Sequence, residues 1–237
     1  EDWWQGSLDE IQSYLLDGHN RFWNKLDEWF NRTITLSGYT TTKDVISSDY
    51  PWRESIVSLL GFCDEVIVVD GGSTDGTWEE LQTMAAAQGD GRLKVHQVKR
   101  DWNAKRFALF DGQQKAVSRS LCTGDWCWQQ DIDEVVHEDD YEKIKNLVRQ
   151  MPKPCNLVSL PVIEYWGGTD KIRIDATPWK WRLSRNNPQI THDVPLKHRA
   201  YDENGELYSL GSDGCDYVFM NTYEPVPDLN FYTPQLH

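Results

Sequence analysis

The sequence predicts an α/β domain built on a mostly parallel β-sheet. Three observations carry that expectation. Glu65–Val69 (Glu-Val-Ile-Val-Val) is a continuous run of mainly β-branched residues, the pattern of a strand covered on both faces. Strand-like runs alternate with amphipathic helical patterns from residue 34 to about residue 150, as a sheet joined by crossover helices requires. After the buried run, Asp70-Gly71-Gly72-Ser73-Thr74-Asp75-Gly76-Thr77 leads straight into a helical pattern. Open α/β sheets bind ligands at such carboxyl ends of strands.

The elements follow in order. Residues 1–33 read as a helical arm. Ser7-Leu8-Asp9-Glu10 has the spacing of a capping box, Ile11, Tyr14 and Leu15 share a face, and Phe22, Trp23, Leu26, Trp29 and Phe30 form a second apolar stripe. These stripes serve packing. Ile34–Tyr39 is a short first strand. Pro51 stands in a first helical turn, where its missing N–H costs nothing. Trp52, Ile56, Leu59 and Leu60 then make an apolar face that Gly61 ends. Thr77–Gln88 is a helix with Trp78, Leu81, Met84 and Ala85 inward, closed by Gly89. Leu93–Val98 is a strand, Phe107–Leu121 a helix and Trp126–Gln130 a strand. Asp139 or Asp140 caps a helix bearing Tyr141, Ile144, Leu147, Val148 and Met151, and Pro152 stops it. Beyond residue 155 clean helices are missing. Leu157–Tyr165 and Trp179–Leu183 read as strands, and residues 185–237 as strands and long loops packed on the first half. The expected organisation is an arm over 1–33 and one domain over 34–237, its halves 34–140 and 141–237.

Composition limits the function. The 237 residues carry 24 Lys plus Arg against 38 Asp plus Glu, a formal charge of −14. That excludes sequence-independent nucleic-acid binding, which draws its affinity from cations that displace counterions, and docking on anionic membrane through the average surface. No apolar run approaches the roughly 18 residues of a membrane span, and no signal peptide is visible. Five cysteines without a CxxC pair read as reduced thiols of a cytoplasmic protein. The chain starts with Glu, which reads as a piece of a longer protein. Of its 12 Trp, most are expected in packing.

Two places carry chemistry. The turn after Asp70 is neither a GxGxxG fingerprint nor a GK[ST] loop. Asp70 itself, at a strand end, can accept hydrogen bonds from a base imide or a ribose hydroxyl. Asp131-Ile132-Asp133 follows the strand Trp126–Gln130. In extended chain, residues i and i+2 point the same way, so both carboxylates would face one spot. Hard oxygen ligands placed together suit Mg²⁺ or Mn²⁺. Six of the ten residues 131–140 are acidic, and such a run also suits a solvated face. Glu138, Asp139 and Asp140 are assigned to that face and to the helix cap.

The run Cys63-Asp64-Glu65-Val66-Ile67-Val68-Val69-Asp70-Gly71-Gly72-Ser73-Thr74-Asp75-Gly76-Thr77 resembles a signature of family 2 glycosyltransferases, which have the GT-A fold. Thr123-Gly124-Asp125-Trp126 followed by Asp131-Ile132-Asp133-Glu134 resembles that family's second signature, which ends in a DxD motif. The resemblance covers about residues 34–140. It implies an inverting transferase of glycan or polysaccharide biosynthesis, using a nucleotide-diphosphate sugar, UDP-linked by default, a divalent cation (Mn²⁺ or Mg²⁺), and a carbohydrate or other hydroxyl acceptor. By the same resemblance, 34–140 is the nucleotide-sugar half and 141–237 the acceptor half. Asp70 would contact the base, and Thr40, just past the first strand, would cradle it. Lys115 would face the nucleotide, Asp131 and Asp133 would hold metal and ribose, and His192 would be a third metal or phosphate ligand, with His198 behind it. The base that deprotonates the acceptor is assigned first to Asp193, then to Glu164, with Asp170, Asp175 and Asp213 behind. Arg182 or Arg185 would meet the diphosphate, and Trp166, Trp179 or Trp181 an acceptor sugar. Two other functions compete: a sugar-phosphate nucleotidyltransferase, which should carry a Gly-rich basic loop after the first strand, and a non-catalytic carbohydrate-binding module.

Overall fold

The computed structural model describes residues 16–21, 33–102, 107–153, 155–174, 179–192 and 218–219. The chain divides into two compact units, Glu1–Ile34 and Thr35–His237. In the first, residues 16–21 are helical, and Arg21 pairs with Asp17 one turn back. The capping box and the stripe with Trp23 and Trp29 lie outside the described residues.

The second unit is the expected α/β domain. Its elements are β1 (Leu36–Thr42), α1 (Trp52–Phe62), β2 (Glu65–Asp70), α2 (Thr77–Gln88), β3 (Leu93–Gln97), α3 (Phe107–Ser120), β4 (Trp126–Gln129), α4 (Tyr141–Gln150), β5 (Leu157–Pro161), β6 (Trp179–Arg185), β7 (Ile190–Thr191) and β8 (Val218–Phe219). Six strands form one sheet in the order β3-β2-β1-β4-β6-β5, and β7 pairs with β8 separately. β3, β2, β1 and β4 are mutually parallel, while β6 runs antiparallel to both β4 and β5.

Burial accounts for the central strands. Val66, Ile67, Val68 and Val69 of β2 are wholly enclosed, each contributing about 1.5–3 kcal/mol of apolar burial. β1 starts and ends later than its apolar pattern suggests, because Thr40, Thr41 and Thr42 still pair with Val68, Val69 and Asp70. Gly61 does not end α1. It admits the Tyr141 ring, since a Cβ there would stand 2.2 Å from Tyr141 Cε2, so α1 and α4 meet at this glycine. α2 is bounded as expected, with Gly76 and Gly89 in left-handed conformations at its two ends. A short 3-10 turn, Glu138–Asp140, precedes α4, and the His137 side chain caps it by accepting from Asp139 N–H. β5 stops at Pro161, four residues earlier than expected.

Half of the second signature is scaffold. The Asp125 carboxylate accepts from Thr35 N at 3.0 Å and from Thr35 Oγ1 at 3.1 Å. Thr123 Oγ1 donates to buried Glu65 at 2.8 Å, which also accepts from Ser37 at 2.6 Å and pairs with Lys94. Burial alone would raise the Glu65 pKa, but these donors hold it down at about 2. The effect is to lock the amino ends of β1, β2 and β4 together, which leaves their carboxyl ends to form the site.

Candidate active site

Strand order reverses at β1, whose neighbours are β2 on one side and β4 on the other. A crevice therefore opens at the carboxyl ends of β1 and β4. A cavity of about 230 Å³ lies there, with walls that include Thr41, Thr42, Tyr50, Trp102, Lys115, Asp131 and Asp133. A larger groove of about 520 Å³ shares Val45 and Tyr50 with it, but its charged side chains, Asp49, Arg53, Glu54 and Glu80, are all exposed.

Asp111, Lys115 and Asp131 of the cavity wall join one charged network with Glu134, Lys180 and Arg182. Lys115 Nζ lies 2.9 Å from Asp131 Oδ1 and 3.2 Å from Asp111 Oδ2. Arg182 Nη2 lies 3.2 Å from Asp131 Oδ2 and also pairs with Glu134, while its Nη1 donates to Gln129. Lys180 reaches Glu134 at 3.1 Å. Burial would raise the Asp131 pKa, but Lys115 and Arg182 outweigh it and hold the carboxyl far below the usual range. Burial would likewise lower the Lys115 pKa, yet Asp131 and Asp111 keep it raised. The two carboxylates are not presented by an extended strand as expected. β4 ends at Gln129, and Asp131–Glu134 is a turn closed by Glu134 N–H donating to Asp131 O at 3.0 Å. Buried Ile132 anchors the turn, and Asp133 is exposed, with no ion pair among the described residues.

Asp70 has no exposure, and its carboxylate is already engaged. It accepts from Thr42 Oγ1 at 3.0 Å, from Gly72 N and Ser73 N at 2.9 Å each, from Ser73 Oγ, and from Gln97 Nε2 at 3.0 Å. These bonds tie Asp70 to the loop that follows β2. Thr40 lies inside β1, not past it, and its buried Oγ1 has no hydrogen-bond partner among the described residues. Strand alternation gives the cavity wall to Thr41, with Thr42 beside it at the strand end.

His192 does not line the cavity. It is buried, with Nε2 2.7 Å from the hydroxyl oxygen of buried Tyr39 and Nδ1 without a partner among the described residues. Burial first, then the Lys115 and Arg119 cations, push its pKa well below the ordinary histidine value, so the ring is neutral. Arg119 on α3 ties this region together by donating to Ile190 O, Ser184 Oγ and Arg185 O at 2.6–2.7 Å. The two arginines of β6 separate: Arg182 enters the charged network, whereas Arg185 stacks on Trp126 and donates to Cys155 O at 2.9 Å.

Glu164 sits past β5 with its oxygens 3.4 Å from Lys180 and 3.5 Å from Arg173. It belongs to a hairpin in which Tyr165 bridges Ile172. Of the tryptophans, Trp166 and Trp179 are exposed, the former with Arg173 over its ring, and Trp181 packs on Leu157 and Ile190. Trp52 is buried as expected. Asp193, Asp175, His198, Asp213 and Cys215 lie outside the described residues; Cys63, Cys122 and Cys127 are free and buried, and Cys155 is buried. Sequence reasoning missed Glu134, Lys180, Gln129 and Trp102. The i, i+2 alternation of Lys180 and Arg182 on β6 was the available signal for the cation pair.

The chain is 24% identical over 191 residues to an uncharacterized glycosyltransferase of Rickettsia prowazekii (strain Madrid E), covering 76% of this chain and 60% of that one. A counterpart in Rickettsia typhi is 25% identical over the same shares. The chain thus spans about 60% of the length of the curated relatives it matches. Among solved structures, S. aureus TarS 1-349 in complex with UDP aligns with 65% of this chain and 47% of its own, at 19% identity and a TM-score of 0.47. A mannosyltransferase of Pyrobaculum calidifontis in complex with GDP-Man and Mn²⁺ aligns with 66% and 46%, at 17% identity and a TM-score of 0.41. No helix among the described residues is long and apolar enough to cross a membrane. The family model described as glycosyl transferase family 2 matches residues 53–202, more than half of the sequence, and the chain belongs to that family.

Proposed function

We propose that the chain transfers a sugar from a nucleotide-diphosphate sugar to a carbohydrate or other hydroxyl acceptor, with inversion at the anomeric carbon. The observation that carries this reading is the cavity at the switch point of a family 2 chain, walled by Asp131, Asp133 and Lys115, with Arg182 directly behind Asp131.

A divalent cation, Mn²⁺ or Mg²⁺, belongs to the reading. Both Asp131 and Asp133 line one cavity: Asp133 offers it an exposed carboxylate, and Asp131, ionised, would join it by exchanging a contact with Lys115 or Arg182 for the cation. Among the described residues no group of three or more His, Cys, Asp or Glu could hold a metal; the reading therefore needs an ion that takes only one or two carboxylates and completes its shell with substrate phosphate and water. Charge favours this as well. The charged side chains of the cavity wall are Lys43 and Lys115 against Asp111, Asp131 and Asp133, a net charge of −1. A diphosphate would add to that negative charge, and a dication would offset it. When bound, the cation would neutralise charge on the departing diphosphate.

The chain's own groups act around that centre. Lys115 and Arg182 hold Asp131 ionised, and Lys115 places a cation in the cavity wall. A carboxylate then takes the proton from the acceptor hydroxyl as it attacks. Asp193 is the first candidate and Glu164 the second, because both Glu164 oxygens already meet cations. The test is a thermal-shift titration with UDP and GDP, each with and without Mn²⁺. Stabilisation that grows with ligand concentration is expected in Mn²⁺. No stabilisation by either nucleotide would overturn the reading.

A further inference from the structure

We infer that Trp102 is the platform on which the donor's base stacks, and that base recognition in this chain is by stacking rather than by a carboxylate. This rests on the donor-site reading above. The carboxylate at the end of β2 is unavailable, since both Asp70 oxygens are taken by Thr42, Gly72, Ser73 and Gln97. The next position is Gly71, where no side chain fits: a Cβ would stand 2.7 Å from Trp102 Cζ2 and 2.9 Å from its Nε1.

The indole fills that space and is held there. Trp102 Nε1 donates to Gly71 O at 2.8 Å, and its ring meets Phe110 edge-on, with centroids 6.1 Å apart and planes at 85°. Its polar N–H is therefore satisfied by backbone, and what the half-buried ring adds to the cavity wall is apolar π surface. The same cavity holds Lys115, Asp131 and Asp133. An aromatic surface and a charged cluster within one cavity match the two parts of a nucleoside diphosphate. Every base has a π face, so stacking tolerates base identity. A carboxylate contact would instead demand a ring N–H, which uracil and guanine both carry.

Calorimetric titration of the wild type, Trp102→Ala and Trp102→Phe with UDP, GDP and inorganic pyrophosphate, all in Mn²⁺, tests this. UDP and GDP should bind the wild type within about tenfold of each other. Trp102→Ala should weaken both by about 10- to 100-fold, the range for losing one base–aromatic stack, with pyrophosphate affinity held within about twofold. Trp102→Phe should recover most of the loss. Equal weakening of pyrophosphate would assign Trp102 to loop structure and overturn the inference, as would nucleotide affinities unchanged in Trp102→Ala. Wild-type protein that binds pyrophosphate but no nucleotide would overturn it too. Failure of every ligand to bind the wild type would contradict the donor-site reading itself.

Discussion

Lys115 Nζ lies 2.9 Å from Asp131 Oδ1 while Arg182 Nη2 lies 3.2 Å from Asp131 Oδ2, so the first carboxylate of the Asp131-Ile132-Asp133 motif carries a protein cation on each oxygen. Asp133, two residues on, is exposed and has no ion pair among the described residues. The two aspartates therefore differ in what their loss should do. Asp133→Asn should weaken Mn²⁺-dependent UDP binding at least tenfold with an unchanged Tm. Asp131→Asn should weaken binding and lower Tm together, because Lys115 and Arg182 lose their shared partner. Calorimetry paired with thermal unfolding checks both, and an unchanged Tm for Asp131→Asn would mean that its ion pairs contribute little to the fold.

Arg182 is buried between Gln129, Asp131 and Glu134. Removing the buried guanidinium leaves Asp131 with Lys115 alone and Glu134 with Lys180 alone, and breaking a buried ion pair costs about 3–5 kcal/mol. Arg182→Met should lose that much in urea unfolding. Lys180→Met, at the more exposed edge of the same network, should lose about 1 kcal/mol or less. Equal losses would contradict the burial argument.

The His192 imidazole is held neutral by burial, with Lys115 and Arg119 adding to the effect. A group whose folded pKa is depressed binds fewer protons folded than unfolded, so stability declines as pH falls below the unfolded value of 6.5. Wild-type Tm should fall between pH 7 and pH 5, and His192→Gln should flatten that slope. An identical slope in the variant would place the acid sensitivity elsewhere.

Gly124 lies against the start of β1, where a Cβ would stand 2.7 Å from Ser37 Oγ and 2.9 Å from Ser37 N. Backbone cannot step aside as a flexible side chain can. Gly124→Ala should cost about 1–3 kcal/mol of overpacking, read by denaturant unfolding, with nucleotide affinity unchanged in the folded protein.

The proton acceptor separates by kinetics. Asp193→Asn should lose turnover by about 100-fold or more while keeping donor affinity, the size expected for general-base loss. Near-normal turnover would shift the role to Glu164, for which Glu164→Gln is the matching variant.

Much of the fold was legible in the sequence because its signals are local. The β-branched run Glu65–Val69, the glycines at 76 and 89 and the apolar periodicity of Tyr141, Ile144 and Val148 each act through their own neighbours. The errors arose where distant residues decide. Gly61 reads as a helix end but serves Tyr141, 80 positions away, and β1 extends to Thr42 because β2 is there to pair with it. The site shows the same division. Asp131 and Asp133 were visible as a motif, and both line the cavity. The saturation of Asp70 depends on Thr42 and Gln97, the neutrality of His192 on packing against Tyr39, and the prominence of Trp102 on the absence of a side chain at Gly71. None of these pairings has a sequence spacing that announces it.

The central claim is that Asp131 and Asp133 form a metal-assisted donor site. It is tested most directly by calorimetric titration of UDP and GDP into wild-type protein and Asp133→Asn, each in Mn²⁺ and in EDTA. The donor site predicts Mn²⁺-dependent binding to the wild type and its loss in the folded variant. Binding that ignores both Mn²⁺ and the substitution would contradict it.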